Sequence, residues 1–171
     1  MSAAYAKDNR LTHTVSATTR KPREGEIDGK HYHFVTREQF NIYVAEGRFL
    51  EWAEVHENCY GTLNTELSKH LSQGVDVVLE LDIQGMRSVK GKRDDIITVF
   101  IMPPSIEVWE ARLRSRGGLT EEELALRIRN GMEEMAASDE YDHVIVNDDL
   151  DEAVDAFVHL VQQTRKHNGC D

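Results

Sequence analysis

Val77-Val-Leu-Glu-Leu-Asp82 is the stretch that decides the fold, because it begins with consecutive apolar residues and becomes acidic only toward its end. Side chains of a β-strand alternate between two faces, so this strand is apolar on both of them. Strands of this kind belong to parallel sheets that are covered on both sides. Glu80, Asp82 and Gln84 then place polar groups toward the carboxyl end of the sheet, where open α/β folds bind ligands.

Further strands and helices alternate along the chain after this stretch. Two more strands are predicted, a buried one at residues 96–102 and a short one at residues 143–146. Ser105 and Thr120 are each predicted to cap a helix, and Thr120 forms a capping box with Glu123. Strands that alternate with helices of this length indicate right-handed crossovers, and therefore an α/β fold in which helices cover both faces of a parallel sheet.

A smaller αβ subdomain is predicted at about residues 19–74. Alternating apolar residues predict strands at 11–16 and 31–35, and Thr36 is predicted to open a helix. In the strand that follows, strict alternation would put four residues on one face, namely Phe49, Glu51, Ala53 and Val55. The carboxylate of Glu51 is therefore expected to have apolar neighbours.

Composition narrows the class of protein. The 171 residues are 40% hydrophobic and carry a net charge of −11, which is consistent with one domain spanning 1–171 and opposes a large nucleic-acid footprint. No apolar run has the length of a membrane span, and the first residues do not resemble a signal peptide, so we expect a cytoplasmic protein. The two cysteines, Cys59 and Cys170, and the eight histidines indicate neither a disulfide nor a zinc site.

Positive residues are nevertheless grouped in ways that suit a small anion. Arg20 and Arg23 lie three residues apart in a predicted tight turn, and paired guanidinium groups match the oxygens of a phosphate monoester. Tyr32 and Tyr60 could add hydroxyl donors, although a tyrosine is more often a packing residue with its hydroxyl at the surface. The alternative for all of these charges is an ordinary solvated surface.

Seven motifs make the chain resemble the guanylate kinase family. They follow the family's order over nearly the whole chain: Thr18-Thr-Arg-Lys-Pro-Arg23-Glu-Gly25, Gly29-Lys-His-Tyr32, Phe49-Leu-Glu51-Trp-Ala53, Asn58-Cys-Tyr60-Gly61-Thr62, Leu81-Asp-Ile-Gln-Gly85, Pro103-Pro-Ser105 and Val146-Asn-Asp-Asp149. The resemblance implies a P-loop-kinase-like three-layer core, a small GMP-binding subdomain and a helical lid at about residues 112–131. It also implies transfer of the terminal phosphate of ATP, with Mg²⁺, to GMP.

The same resemblance implies roles for individual residues. Four match the family positions that hold the GMP phosphate: Arg20, Arg23, Tyr32 and Tyr60. Glu51 matches the carboxylate that reads guanine through N1–H and the exocyclic amine. Ser16 and Thr62 match hydroxyl positions around the purine, and Glu80 and Asp82 lie where the family keeps acidic residues near the nucleotides and magnesium.

A second group of positions matches the ATP side of the family's site. Arg116 and Arg127 match lid arginines that close over the transferring phosphate, and Arg112 is expected to join them. Cations near a helix end are also favoured by the helix dipole, whatever the function. Asn147 matches a residue beside the base of ATP, although Asn-Asp-Asp before a helix is also ordinary capping.

One family feature is missing from the sequence, which contains no Walker A motif of the form Gly-x4-Gly-Lys-Ser/Thr. We therefore expect Met1 to be an internal methionine of a longer protein that has lost roughly 25 residues, the length of one strand, loop and helix. A sheet without that N-terminal strand would expose apolar edges, so weak stability or self-association is expected.

Three functions stay open from the sequence alone. The first is a guanylate kinase with a misplaced start, and the second is a non-catalytic module of the same fold that binds GMP or a phosphopeptide. The third, with least support, is an adaptor that uses the acidic surface. The use of dGMP and the choice between monomer and homodimer also stay open.

Overall fold

The computed structural model of the chain describes residues 1–55, 57–118 and 120–167. It divides into two compact units, one of residues 8–94 and the other of residues 1–7 with 95–171. The single domain of 1–171 and the subdomain boundaries at about 19 and 74 stay predictions. Cys170, for which we expect no disulfide, lies outside the described residues.

The unit of residues 8–94 holds two sheets and three helices. Its elements in chain order are β1 (Leu11–His13), β2 (Ala17–Thr18), β3 (His33–Phe34), α2 (Arg37–Ala45), β4 (Phe49–Val55), β5 (Asn58–Leu63), α3 (Asn64–Leu71), β6 (Asp76–Val78) and α4 (Ile83–Lys90). Strands β1 and β6 form a parallel pair. The other sheet has the order β3-β2-β5-β4, with β2 and β3 parallel and the remaining neighbours antiparallel.

The predicted strand at 11–16 is wrong in its extent. Leu11–His13 pairs with β6, whereas Ala17 and Thr18 pair with β3 and β5, so the chain changes from one sheet to the other between them. The strand that contains Val77 is shorter than its apolar run, since β6 ends at Val78. Asp82 caps α4 by accepting a hydrogen bond from the backbone N–H of Gly85 at 2.7 Å, which ends the extended segment.

Helix α2 covers one face of the four-stranded sheet. The Thr36 hydroxyl caps this helix by accepting from the backbone N–H of Gln39, as the sequence predicts. Phe40 is fully buried and stacks on Phe49 with ring centroids 4.4 Å apart. Ala17 and Cys59 complete this core.

A β-bulge interrupts strict alternation at the start of β4. Phe49 pairs with Leu63, but Glu51 pairs with Thr62, so two steps along β4 match one step along β5 and Leu50 is the extra residue. The prediction that Phe49 and Glu51 share a face is therefore wrong. Phe49 lies with the core beneath α2, and the bulge turns Glu51 to the opposite face.

The other unit contains α1 (Ser2–Lys7), β7 (Val99–Met102), α5 (Ile106–Arg116), α6 (Glu121–Ala136), a single 3-10 turn (Ser138–Glu140), β8 (His143–Val146) and α7 (Leu150–His167). Strands β7 and β8 form a parallel pair. The predicted caps are confirmed, since Ser105 accepts from Val108 and both halves of the Thr120–Glu123 capping box are present.

The predicted fold class is confirmed as α/β with parallel strands and helices. The prediction that β7 is buried is wrong, because its Ile101 is 47% exposed, and Val146 of β8 is 53% exposed as well. Within the described residues each of these strands pairs only with the other, so the pair is too narrow to be an interior sheet. Among the described helices, none combines the length and apolar character of a membrane span.

Candidate active site

The face of the four-stranded sheet opposite α2 carries most of the predicted binding residues, and we call it the site face. Side chains alternate along β5, so Tyr60 and Thr62 point away from the core that contains Cys59. Glu51 pairs with Thr62, and Ala53 pairs with Tyr60. The bulge therefore places the predicted guanine-reading carboxylate on the same face as the Tyr60 hydroxyl.

Glu51 is held in place by its neighbour on β5. Its Oε1 accepts a hydrogen bond from the backbone N–H of Thr62 at 3.0 Å. The two residues are 9% and 3% exposed, respectively. A carboxylate that accepts a backbone N–H has a fixed direction and keeps further lone pairs for another donor. This geometry can receive a pair of N–H donors from a planar base.

Arg20 follows β2 and is oriented by a carboxylate that we did not single out in the sequence. Its Nη1 and Nη2 donate to the two oxygens of Glu26 at 3.0 and 2.8 Å, and Nη1 also donates to the carbonyl of Lys21 at 2.9 Å. The backbone N–H of Arg23 donates to the same Glu26 at 2.6 Å. Three of the five N–H donors of Arg20 thus face the turn, and a phosphate would meet the guanidinium from its Nε side.

Aromatic rings surround the same guanidinium. Its Cζ lies 5.5 Å from the centroid of the Tyr32 ring and 5.9 Å from that of Phe34. Tyr60 and Tyr32 are in edge contact with centroids 6.1 Å apart. Hydrogen bonds from Arg20, first to Glu26 and then to the Tyr60 hydroxyl, raise the pKa of Arg20. The structure thus brings together three of the four residues predicted to hold a phosphate.

Two threonines fix the path of the chain that leads into this cluster. The hydroxyl of Thr18 donates to the carbonyl of Cys59 at 2.9 Å, and the backbone N–H of Cys59 donates to the hydroxyl of Thr19 at 2.8 Å. Because Cys59 directly precedes Tyr60, these bonds tie the start of the Arg20 turn to the strand that carries Tyr60.

Glu51 and Arg20 therefore lie at two ends of one face. Thr62, beside Glu51, and Tyr60, beside Arg20, are two residues apart on β5, a distance of about 7 Å along a strand. That spacing allows one small molecule to meet the carboxylate with one end and the guanidinium with the other.

The remaining predicted residues of this unit are less engaged. The side chain of Arg23 is exposed, and the carbonyl of Ser16 accepts from the backbone of His33. Glu80 is exposed, and Asp82 caps α4 as described above. Their predicted roles toward a ligand stay predictions.

In the other unit, a cavity of about 170 Å³ is lined by three residues predicted to act on the ATP side: Arg112, Arg116 and Asn147. The other residues that line it are Ile101, Met102, Pro103, Trp109 and Leu113. The side chain of Arg112 is only partly exposed and is directed toward the chain after β8. It donates to the carbonyls of Asn147 and Asp148 at 2.6 and 2.7 Å, so it holds the loop that follows β8. The cavity combines an aromatic ring with amide and guanidinium groups, a composition that can accept a planar base.

Arg116 and Arg127 are both exposed. The helices that carry them are joined by Arg114, which pairs with Glu110 of α5 and with Glu121 of α6. Trp109 of α5 lies against Gly131 of α6 so closely that a Cβ at Gly131 would overlap the indole ring. The backbone of this helix pair is thus well packed although the two arginines project from it.

Three features of this site were missed from the sequence: the Glu26 anchor, the ring of Phe34 against Arg20, and the bulge at Leu50. The signal for Glu26 was available, since it follows Gly25 in the same turn as Arg20. The bulge gives no signal in the sequence, because an alternating pattern of residues is compatible with two pairing registers.

A sequence profile described as guanylate kinase matches residues 4–164. The chain belongs to the guanylate kinase family. It is 41% identical to the guanylate kinase of Rickettsia felis over 93% of this chain and 83% of that protein. It is 49% identical to the guanylate kinase of Carboxydothermus hydrogenoformans over 84% of this chain and 71% of that one.

A solved structure gives the same result for the fold. The crystal structure of guanylate kinase from Anaplasma phagocytophilum matches with a TM-score of 0.73 and 33% identity, covering 95% of this chain and 81% of that one. The family resemblance expected from the seven motifs is therefore confirmed.

Proposed function

We propose that this protein is a guanylate kinase that binds GMP on the site face and transfers the terminal phosphoryl group of ATP to it. An oxygen of the GMP phosphate forms a new P–O bond, the bond between the terminal phosphorus and ADP breaks, and the products are GDP and ADP. The observation that carries the proposal is the placement of Glu51 and Arg20 on one face at a spacing that suits one nucleotide.

Glu51 is proposed to select guanine. Its two oxygens can accept N1–H and the exocyclic amine, a pair of donors that adenine does not present at this edge. The bond from Thr62 fixes the direction of the carboxylate before the base arrives. A site built to pair with such donors rejects ligands that lack them, because its buried polar group would be left unpaired. Ser16 and the hydroxyl of Thr62 are proposed to contact the purine.

The phosphate of GMP is proposed to lie against the Nε side of Arg20. Tyr32 and Tyr60 would add neutral donors from the same cluster, and Arg23 would approach from the exposed side of the turn. Charge-assisted bonds from a guanidinium are among the strongest available to a phosphate. These proposed contacts involve the base and the phosphate but not the sugar, in which GMP and dGMP differ. Whether dGMP is also a substrate therefore stays open.

Arg112, Arg116 and Arg127 are proposed to supply fixed positive charge for the transfer, and the cavity beside Asn147 is proposed to receive the base of ATP. Positive charge near the transferring phosphoryl group is the main protein contribution to such reactions. No group of three or more potential metal ligands lies close together within the described ranges. Mg²⁺ is proposed to be held mainly by the ATP phosphates, as is usual for this ion, with Asp82 and Glu80 as candidate carboxylates.

A second candidate function is a non-catalytic GMP-binding module. The observation that favours it is that the contacts available from Glu51 and Arg20 would bind GMP without any contact to ATP. Both candidates share the GMP site, and they differ only in turnover. We propose a cytoplasmic location and a role in purine nucleotide metabolism for either one.

Calorimetric titration with GMP tests the shared site. We expect Arg20→Ala to weaken GMP binding about 50-fold, because it removes a charged hydrogen-bonding partner of the phosphate. Arg114→Ala is the matched control, since it removes the same charge from an exposed position in the other unit. Equal GMP affinity for wild type and Arg20→Ala would refute the phosphate assignment.

A turnover assay separates the two candidates. Release of ADP that depends on GMP, measured with the full chain, ATP and Mg²⁺, is expected for the kinase. GMP binding with no such release would favour the non-catalytic module and leave the site face assignment intact.

A further inference from the structure

The bulge in β4 contains one residue without a partner in the ladder, and its backbone carbonyl accepts a hydrogen bond from a side chain distant in sequence. The extra residue of a bulge is unpaired in the ladder. Here it is Leu50, which is 4% exposed, and its carbonyl accepts a hydrogen bond from Nζ of Lys92 at 2.6 Å. We propose that Lys92 is a positioning residue for guanine selection, because it holds the peptide group that aims Glu51.

Leu50 directly precedes Glu51 in the chain. The carbonyl of Leu50 and the backbone N–H of Glu51 belong to one planar peptide group, so fixing the oxygen fixes the plane from which the Glu51 side chain departs. The far end of that side chain is fixed by Thr62. Glu51 is thus held at two points, one on its backbone and one on its carboxylate.

The position of Lys92 is itself well defined. Helix α4 ends at Lys90 and is capped by Gly91, whose N–H donates to the carbonyl of Arg87, and the N–H of Lys92 donates to the carbonyl of Val89 at 2.9 Å. Val89 is 2% exposed and anchors the helix in its unit. The ammonium group therefore reaches the bulge from a fixed backbone, although its own side chain lies at the surface.

A cavity of about 440 Å³ lies beside this hydrogen bond, lined by Gly47, Phe49, Leu50, Asn64, Lys92 and Arg93. Removing the ammonium group would let water reach the Leu50 carbonyl, and the peptide group could then turn. The expected consequence is a poorly aimed carboxylate rather than an unfolded strand, since the core beneath α2 is also held by Ala17, Phe40 and Cys59.

This inference rests on the proposed function, and the test keeps the two apart. GMP and IMP share the phosphate, the sugar and N1–H, but IMP lacks the exocyclic amine that the second carboxylate oxygen would accept. Binding of both nucleotides is measured by calorimetry for wild type, Lys92→Met, Lys92→Arg and Lys69→Met. Lys69 is the matched control, because it is an exposed lysine of the same unit at the end of α3.

We expect wild type to prefer GMP to IMP. Lys92→Met should lower the GMP-to-IMP affinity ratio about fivefold, because it removes one charged hydrogen bond whose strength is reduced by exposure to solvent. Lys92→Arg keeps a cationic donor and should retain most of the ratio, and Lys69→Met should retain all of it. An unchanged ratio in Lys92→Met overturns the inference. Equal weakening of GMP and IMP, with a lower melting temperature, also overturns it by showing a general structural role.

Failure of the proposed function has a different signature. If wild type binds GMP and IMP equally, Glu51 does not read the amine, and the guanine assignment falls before Lys92 is considered.

Discussion

The two groups of arginines predicted from the sequence are held in very different ways. Arg20 is surrounded by the Glu26 carboxylate, the Tyr60 hydroxyl and two aromatic rings, all within one unit. Arg116 and Arg127 instead project from the α5–α6 pair at exposed positions. In the first region the side chain is oriented, whereas in the second only the backbone is.

The difference matters because a charged side chain that is already oriented loses no further conformational entropy when a ligand binds. The Arg20 cluster is arranged to meet a phosphate that is already present in GMP. Arg116 and Arg127 are predicted to meet a group in transfer, and their contribution depends on where the α5–α6 pair places them. The predictions that follow disturb first the packing of α5 on α6, then the carboxylate that orients Arg20, and finally an exposed ion pair between α5 and α6.

The largest effect is expected at Gly131, where α6 packs on Trp109. Gly131→Ala should lower the free energy of unfolding by about 2 kcal/mol, because overlap with the indole ring outweighs the better helix propensity of alanine. Denaturant unfolding provides the measurement. Gly91→Ala is the matched control, since a Cβ there meets no atom nearer than 3.5 Å. Equal stability of the two variants would mean that α5 and α6 are not tightly packed.

A smaller effect is expected at Glu26, the anchor of Arg20. Glu26→Gln keeps the size of the side chain but has only one acceptor oxygen for the guanidinium, so GMP affinity should fall about fivefold. Removing a negative charge near the phosphate works in the opposite direction. Tighter GMP binding in this variant, measured by calorimetry, would show that charge outweighs orientation and would end the contrast between the two regions.

The same carboxylate predicts a pH dependence of stability. The hydrogen bond from the Arg20 side chain, and then the one from the Arg23 backbone, lower the pKa of Glu26 from 4.5 to about 2. A group with a lowered pKa in the folded state stabilises the fold above its ordinary pKa and loses that contribution as the pH falls toward the folded value. The stability difference between wild type and Glu26→Gln should therefore shrink between pH 4.5 and 2, as measured by denaturant unfolding at each pH.

The smallest effect is expected at Arg114, although this residue makes more ion pairs than Arg116 or Arg127 in the structure described. Its contacts with Glu110 and Glu121 are at the surface, where solvent and salt weaken them. Arg114→Ala should shift the melting temperature only slightly at low salt and not at all at high salt. A large shift that persists in high salt would contradict this reading of the helix pair.

Much of the fold could be predicted because its signals are local. The caps at Thr36, Ser105 and Thr120 depend on residues three positions apart, and all three are present. Strand β8 begins and ends where the apolar run predicts. The family assignment likewise depends on short motifs whose order is read directly from the chain.

The parts that could not be predicted depend on contacts between distant segments. Helix α4 was missed because the polar residues that follow Leu81 fit the end of a strand as well as the start of a helix. The face of Glu51 was wrong because register is set by pairing with β5, and one extra residue reverses it. The contact between Lys92 and Leu50 joins residues 42 positions apart, a separation at which periodicity carries no information.

The extra residue in β4 has a consequence for how this chain can vary. Substitutions at Leu50 that keep an apolar side chain preserve the pairing, since the bulge is defined by the count of residues and not by their identity. A deletion of Leu50 would instead restore a regular ladder with Glu51 still opposite Thr62, and it would remove the carbonyl group that Lys92 holds. Segment length is thus a stricter requirement here than composition, and homologues that can discriminate guanine are expected to differ in this loop and strand by replacement alone.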